Sequence, residues 1–276
     1  MVLPVLLYGC EIWGYSNIED IELFYRDFLK STLRLNKQTP NCMVYGEVGR
    51  KPIRITIKIR MINYWLKLVT AQDNKISTNI YLILRKLHEK DTFNSSWLNG
   101  IKTILDSCGM SNVWRNPNNY NVTLVQKSLN LRLNDMYFQE WNNDVNKMSS
   151  CRFYKTYKED LKIENYILKL NTVNRIHICK FRCRNIKIPV IVLGYKHLNI
   201  PYENRLCTLC HLIEVGNEYH YMMTCSYFNN SRIKYIDKYF WEEPNIYKFS
   251  QIFKNKDIHA LINLSKFIKC LLLEFN

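Results

Sequence analysis

Glycine and proline are scarce in this 276-residue chain, at 8 and 7. A fold of many short strands needs that punctuation at its turns, so the scarcity argues against one and favours helices. No apolar run approaches the roughly 20 residues that cross a bilayer, so no membrane partner is expected. The opening "MVLPVLLYGC" has no basic segment before its apolar run and no small-residue cleavage site, unlike a secretory leader. Ten cysteines are therefore expected as free or metal-bound thiols in a reducing, intracellular setting, nucleus or cytoplasm, rather than as disulfides. Also missing are an Asp-Asp pair, a glycine-rich phosphate loop, a nucleophile elbow and a His-Glu-x-x-His motif, so no catalytic residue is nominated.

Acidic residues are missing from two long stretches. The formal net charge is +15, from 39 basic and 24 acidic residues. Arg50, Lys51, Arg54, Lys58, Arg60 and Lys67 follow one another without an acid. So do Lys169, Arg175, Lys180, Arg182, Arg184, Lys187 and Lys196. A solvated face explains either tract alone; two in one chain point to a polyanion, nucleic acid first.

Hydropathy spacing predicts a mainly α fold. Residues 18–35 place Ile21, Phe24, Phe28, Leu29, Leu33 and Leu35 on one face, with Asn17 as cap. "YGEVGRKP" reads as a loop leading into a helix. "IRITIKIR" alternates as a strand would, but Ile55, Ile59, Ile62, Leu66 and Val69 continue at helical spacing, so a helix is expected. Further helices are expected near 76–90, 97–107, 123–147, 152–170 and 171–180. Residues 181–201 read as extended chain or short strands. Leu261, Leu264, Ile268, Leu271 and Phe275 form one face of a final helix.

The densest chemistry lies in "RLCTLCHLIEVGNEYHYMMTC", residues 205–225. Ten cysteines and six histidines in the chain would place about one in such a window by chance; this one holds five. Cys207-x2-Cys210-x9-His220-x4-Cys225 has the spacing of a tetrahedral zinc site, a tight turn carrying the first pair. His220 and Cys225 stand about 140° apart around an ideal helix, so one must lie at a helix end or bend. His211 is the weaker substitute for His220, because adjacent residues rarely point at one ion. With every position filled by protein, the ion would be structural. The competing arrangement is four side chains sharing a core, since unbound cysteine is commonly buried.

Several segments in order resemble the C-terminal part of reverse transcriptases of invertebrate non-LTR retrotransposons. They are "LPVLLYGCEIWG" (3–14), "MVYGEVGRKPI" (43–53), "MYFQEWNNDV" (136–145), "RFYKTYK" (152–158), "FRCRNIKIPV" (181–190), "ENRLCTLC" (203–210) and "NEYHYMMTC" (217–225). The resemblance covers roughly residues 3–240. It implies a thumb-like helical region over 1–90, a helical connector over 91–180, a zinc-binding element over 181–240 with Cys207, Cys210, His220 and Cys225 as ligands, and a C-terminal helical segment over 241–276. Arg205 and Glu218 match flanking polar positions of that element. The catalytic fingers and palm of such RNA-directed DNA polymerases precede the Leu-Tyr-Gly segment, so this piece is expected not to polymerise alone. The resemblance also implies that the apolar opening segment packs against that palm.

On this reading Arg50, Lys51, Arg54, Lys58 and Arg60 form one phosphate-contacting row. Arg175, Lys180, Arg182 and Arg184 form a second, gripping RNA or DNA. Tyr195, Tyr202 or Tyr221 would stack on unpaired bases. Two alternatives stand beside it: a non-catalytic protein-interaction scaffold whose basic tracts are solvated, and a decayed remnant of the element.

Overall fold

The computed structural model describes residues 2–16, 18–71, 75–194, 198 and 200–275. Asn17, Tyr195 and Lys196 lie outside the described residues. The fold is mainly α, as expected, and among the described residues the only β pairing is the isolated antiparallel bridge of Leu206 with Val215. Two compact units form, one from residues 1–25 and 51–140, the other from 26–50 and 141–276. Each draws on two separate stretches, so this division runs across the four consecutive segments set out above.

In the first unit the helix Ile53–Val69 holds the centre. Ile53, Ile57, Met61, Ile62, Trp65 and Leu66 are almost wholly buried, which settles "IRITIKIR" as helix rather than strand. Pro52 precedes its first turn, and the buried Glu22 carboxylate accepts the Arg54 N–H at 3.1 Å, a negative charge at the helix N-terminus. Leu98, Ile101 and Leu105 of the helix Ser96–Ser107 pack against it, and Trp65 stacks on Trp114 at 5.6 Å. Of the face expected for residues 18–35, Leu29, Leu33 and Leu35 are buried, but the first turns of the helix Ile18–Thr32, which runs from the first unit into the second, are rotated. Glu22, Tyr25 and Leu29 are buried, whereas Phe24 and Phe28 are exposed. Counting apolar residues alone rotated the face, because one buried position is a carboxylate.

In the second unit the helix Ile258–Glu274 packs on the helix Thr172–Arg182. All five residues of its expected apolar face are buried. Two local expectations are corrected. The stretch 152–170 breaks into the short helices Tyr154–Tyr157 and Asn165–Lys169, and the described residues of 181–201 hold a short helix, Pro189–Val192, and no strand. Pro189 opens that turn at the first helical position, where its missing N–H costs nothing.

A helix, Asn41–Val48, also replaces the loop expected around "YGEV". It ends at Gly49 with φ 59°, and a Cβ there would run into the backbone of Lys162 and Ile163. Left-handed geometry and close approach coincide at this position. Gly49→Ala is expected to destabilise the second unit by more than about 2 kcal/mol, because strain and overpacking add. A urea midpoint within error of the parent would refute it.

Candidate metal centre

The chain closes the Cys207-to-Cys225 element with three local devices. The Leu206–Val215 bridge is extended by Cys207 N–H donating to the Glu214 carbonyl at 2.9 Å and Gly216 N–H donating to the Arg205 carbonyl at 2.8 Å. Gly216 allows that approach: a Cβ would lie 2.7 Å from the Tyr221 hydroxyl and 3.2 Å from Cys207 Cα. Asn217 then starts the next turn, its Oδ1 accepting the His220 N–H at 2.8 Å.

Residues His220–Thr224 form a π-helical turn, and the Cys225 N–H reaches back to the His220 carbonyl at 2.8 Å. This is the bend that the five-residue spacing demanded. A wider turn brings residue i+5 beneath residue i, and such turns recur at functional sites. His220 and Cys225 therefore face the same point.

The ligand atoms of Cys207, Cys210, His220 and Cys225 all lie within 4.8 Å of one another. Cys207 Sγ is 3.9 Å from Cys225 Sγ, and Cys210 Sγ is 3.4 Å from His220 Nε2. A tetrahedral zinc with Zn–S near 2.3 Å and Zn–N near 2.0–2.1 Å places two sulfurs roughly 3.8 Å apart and a sulfur and a nitrogen roughly 3.6 Å apart. The donor set and its spacing fit a metal ion such as zinc.

Surrounding groups match an ion at this point. His220 Nδ1 lies 2.7 Å from Glu214 Oε2 and 3.0 Å from Thr224 Oγ1, leaving Nε2 toward the sulfurs. A carboxylate on the second ring nitrogen is the usual way to orient a ligating histidine. The Leu209 N–H points at Cys207 Sγ from 3.4 Å, as backbone donors do toward a thiolate. Burial raises the Cys207 thiol, but the nearby polar groups of Tyr221, Leu209, Cys210 and His220 outweigh it and bring the pKa to about 7. Burial and the neighbouring thiols push Cys225 up to about 12. Three thiolates and a neutral imidazole on a divalent cation carry one net negative charge, and buried Arg232 supplies the opposite sign beside it. Its guanidinium donates to the carbonyls of Met222 and Cys225 at 2.9 Å and of Tyr221 at 3.3 Å.

Glu214, Thr224 and Arg232 were not singled out from sequence. The signal for Glu214 was available, because a ligating histidine calls for a carboxylate and the window holds only Glu214 and Glu218. Glu218 is taken by Arg184, at 2.6 Å. His211 is exposed and stands outside the cluster.

The basic residues are placed unevenly. Arg50 and Lys51 are exposed, Lys51 reaching Asn134 Oδ1 at 2.5 Å, and Lys58 is half-buried. Arg54 forks onto Glu140 at 2.7 and 2.9 Å, and Arg60 donates to the Leu7 carbonyl at 3.1 Å with Glu11 at 3.9 Å. Arg175 donates to Thr172 Oγ1 at 3.1 Å, and Lys180 is half-buried. Arg182 is corrected: it is 1% exposed and bound to Glu47 and Glu164, so no phosphate reaches it. Tyr221 is buried too and offers no stacking face, while Tyr202 lies under the Arg152 guanidinium at 3.9 Å.

Among the described residues no helix is long and apolar enough to cross a membrane. Comparison with protein-family models, curated proteins and solved structures finds no match to this chain.

Proposed function

We propose that Cys207, Cys210, His220 and Cys225 hold a structural Zn²⁺, and that the chain is a nucleic-acid-gripping module like the C-terminal part of a non-LTR retrotransposon reverse transcriptase. The observation that carries this reading is the convergence of those four ligand atoms, in the element that closes the ordered series of resembling segments. Four protein donors leave no open position, so the ion braces the element instead of activating water. The net charge of +15 supports a phosphate backbone as ligand. Arg50, Lys51, Lys58, Arg175 and Lys180 are the cations of the two rows that face no carboxylate among the described residues; Arg54, Arg60 and Arg184 stand against Glu140, Glu11 and Glu218, and buried Arg182 is withdrawn.

A polymerase fingers-and-palm region is the protein partner in this reading. Its support is the apolar surface of the first unit. Val5 and Tyr8 are 78% and 86% exposed, and Ile76, Ile80, Ile83 and Leu87 make an exposed stripe on the helix Ile76–Glu89. Exposed apolar side chains aligned along a helix in this way suit an interaction face.

Binding to single-stranded RNA and to duplex DNA, followed by fluorescence anisotropy across a salt series, tests the grip. With three or four phosphates neutralised, the slope of log K against log salt on duplex DNA is expected near −3 to −4. Arg50→Ala should reduce that slope by about one. No retention of either polymer at low salt would remove the nucleic-acid function and leave the scaffold.

A further inference from the structure

Sulfur also gathers at a second place in the second unit. Cys42, near the start of the helix Asn41–Val48, has its Sγ 3.7 Å from Cys151 Sγ and 3.8 Å from Met148 Sδ. Met148-Ser-Ser-Cys151 is a tight turn closed by the Cys151 N–H donating to the Met148 carbonyl at 2.9 Å. One turn thus carries two of the sulfurs, and a residue 109 positions from Cys151 supplies the third.

Contact between two buried cysteines alone would be ordinary packing. Met148 argues for more. The residue is 40% exposed, yet its sulfur touches a thiol that is 4% exposed. The trio therefore lies at the edge of the buried interior, with two buried thiols and a half-exposed methionine. Metal–sulfur bonds of about 2.3 Å in a trigonal arrangement space the sulfurs roughly 4 Å apart, close to both observed separations.

We propose that Cys42, Cys151 and Met148 form a three-sulfur site for a soft monovalent cation of the Cu(I) class. Thiolate and thioether donors select such ions, whereas zinc favours four donors of nitrogen, oxygen or thiolate type. Binding releases the thiol protons to solvent and needs no change of oxidation state. The site is independent of the Cys207 cluster and of any nucleic-acid role.

Trp141 is a built-in reporter, because its Nε1–H donates to the Cys42 carbonyl at 2.8 Å. The test titrates the purified full chain, without oxygen, with Cu(I) held by bathocuproine disulfonate, and measures copper, zinc and tryptophan emission together. The expected result is one equivalent of copper taken up without matching zinc release, with a change in emission. Met148→Leu, which conserves volume, should lose that equivalent or bind it at least tenfold more weakly. Cys42→Ser should lose it entirely. Copper uptake balanced by zinc release, uptake unchanged in Met148→Leu, or no uptake would each overturn the proposal.

Discussion

Glu47→Ala is expected to unfold the second unit at room temperature, or to lower its stability by about 3–5 kcal/mol, the cost of stranding a buried charge. Glu47 and Arg182 are both fully buried, and the guanidinium forks onto the carboxylate at 2.8 and 2.9 Å. Arg182 Nη2 also lies 3.2 Å from Glu164, which Lys158 holds at 2.6 Å, and the Tyr166 hydroxyl donates to Glu47. The Tyr157 ring sits 4.5 Å from the guanidinium. Glu47 belongs to the 26–50 stretch and its partners to 141–276, so this network joins the two parts from which the unit is built. Total stabilities of about 5–15 kcal/mol leave little margin for such a loss.

Two further variants separate the possible causes. Arg182→Lys keeps the charge but loses the fork and should remain clearly destabilised. Glu47→Leu combined with Arg182→Met should cost less than Glu47→Ala alone, since removing both charges strands neither of them. Equilibrium urea unfolding followed by near-ultraviolet circular dichroism reads all three. A loss below about 1 kcal/mol for Glu47→Ala would show that the network is not what joins the unit.

The same network sets a dependence on pH. Burial raises Glu47, but Arg182, Lys158 and the Tyr166 hydroxyl outweigh it and hold the carboxyl below its usual range. A depressed folded-state value means that this stabilisation is complete above the unfolded carboxyl value of about 4.3 and is lost as pH falls below it.

Arg182 also illustrates where reading the sequence stops. An acid-free tract made it look like a phosphate contact, because its carboxylate lies 135 residues away. Helical register carried the better signal, since Arg182 is four residues after Ile178 and three after Cys179, both buried. Long periodic segments were legible for a different reason. In the helices Ile53–Val69 and Ile258–Glu274, burial of an apolar face is the main force, and spacing reports it directly. Around 152–170 and 181–201 tertiary contacts decide instead. Tyr154 is drawn to the Met43 carbonyl and Arg205 to the carbonyls of Ile200 and Val190, which no local pattern announces. At the candidate metal centre the four side chains that cluster and the need for a bend were readable from spacing. The π turn that supplies the bend, and the roles of Glu214 and Arg232, required coordinates.

Cys207→Ser is expected to abolish stoichiometric zinc and to melt residues 206–215, with removal by a strong chelator doing the same to the parent chain. Residues 206–215 have little else to hold them, one isolated bridge and its flanking hydrogen bonds, whereas Tyr221, Met222 and Met223 are buried and Arg232 ties down the carbonyls of Tyr221 and Met222. Structural zinc contributes about 10–16 kcal/mol of apparent binding energy in small zinc-finger peptides, far more than those few hydrogen bonds. Glu214→Gln should weaken zinc 10- to 100-fold, because the amide orients His220 less firmly than the carboxylate at 2.7 Å. His211→Ala should retain full zinc, as that imidazole is exposed and lies outside the cluster. Zinc content by atomic spectrometry and competition with a chromogenic chelator measure all of these. Equal zinc in Cys207→Ser and the parent, or loss of zinc in His211→Ala, would mean that the ion, if one is bound, sits on other donors. The four converging side chains would then be a packed core, and the phosphate grip would lose the brace from which it was inferred.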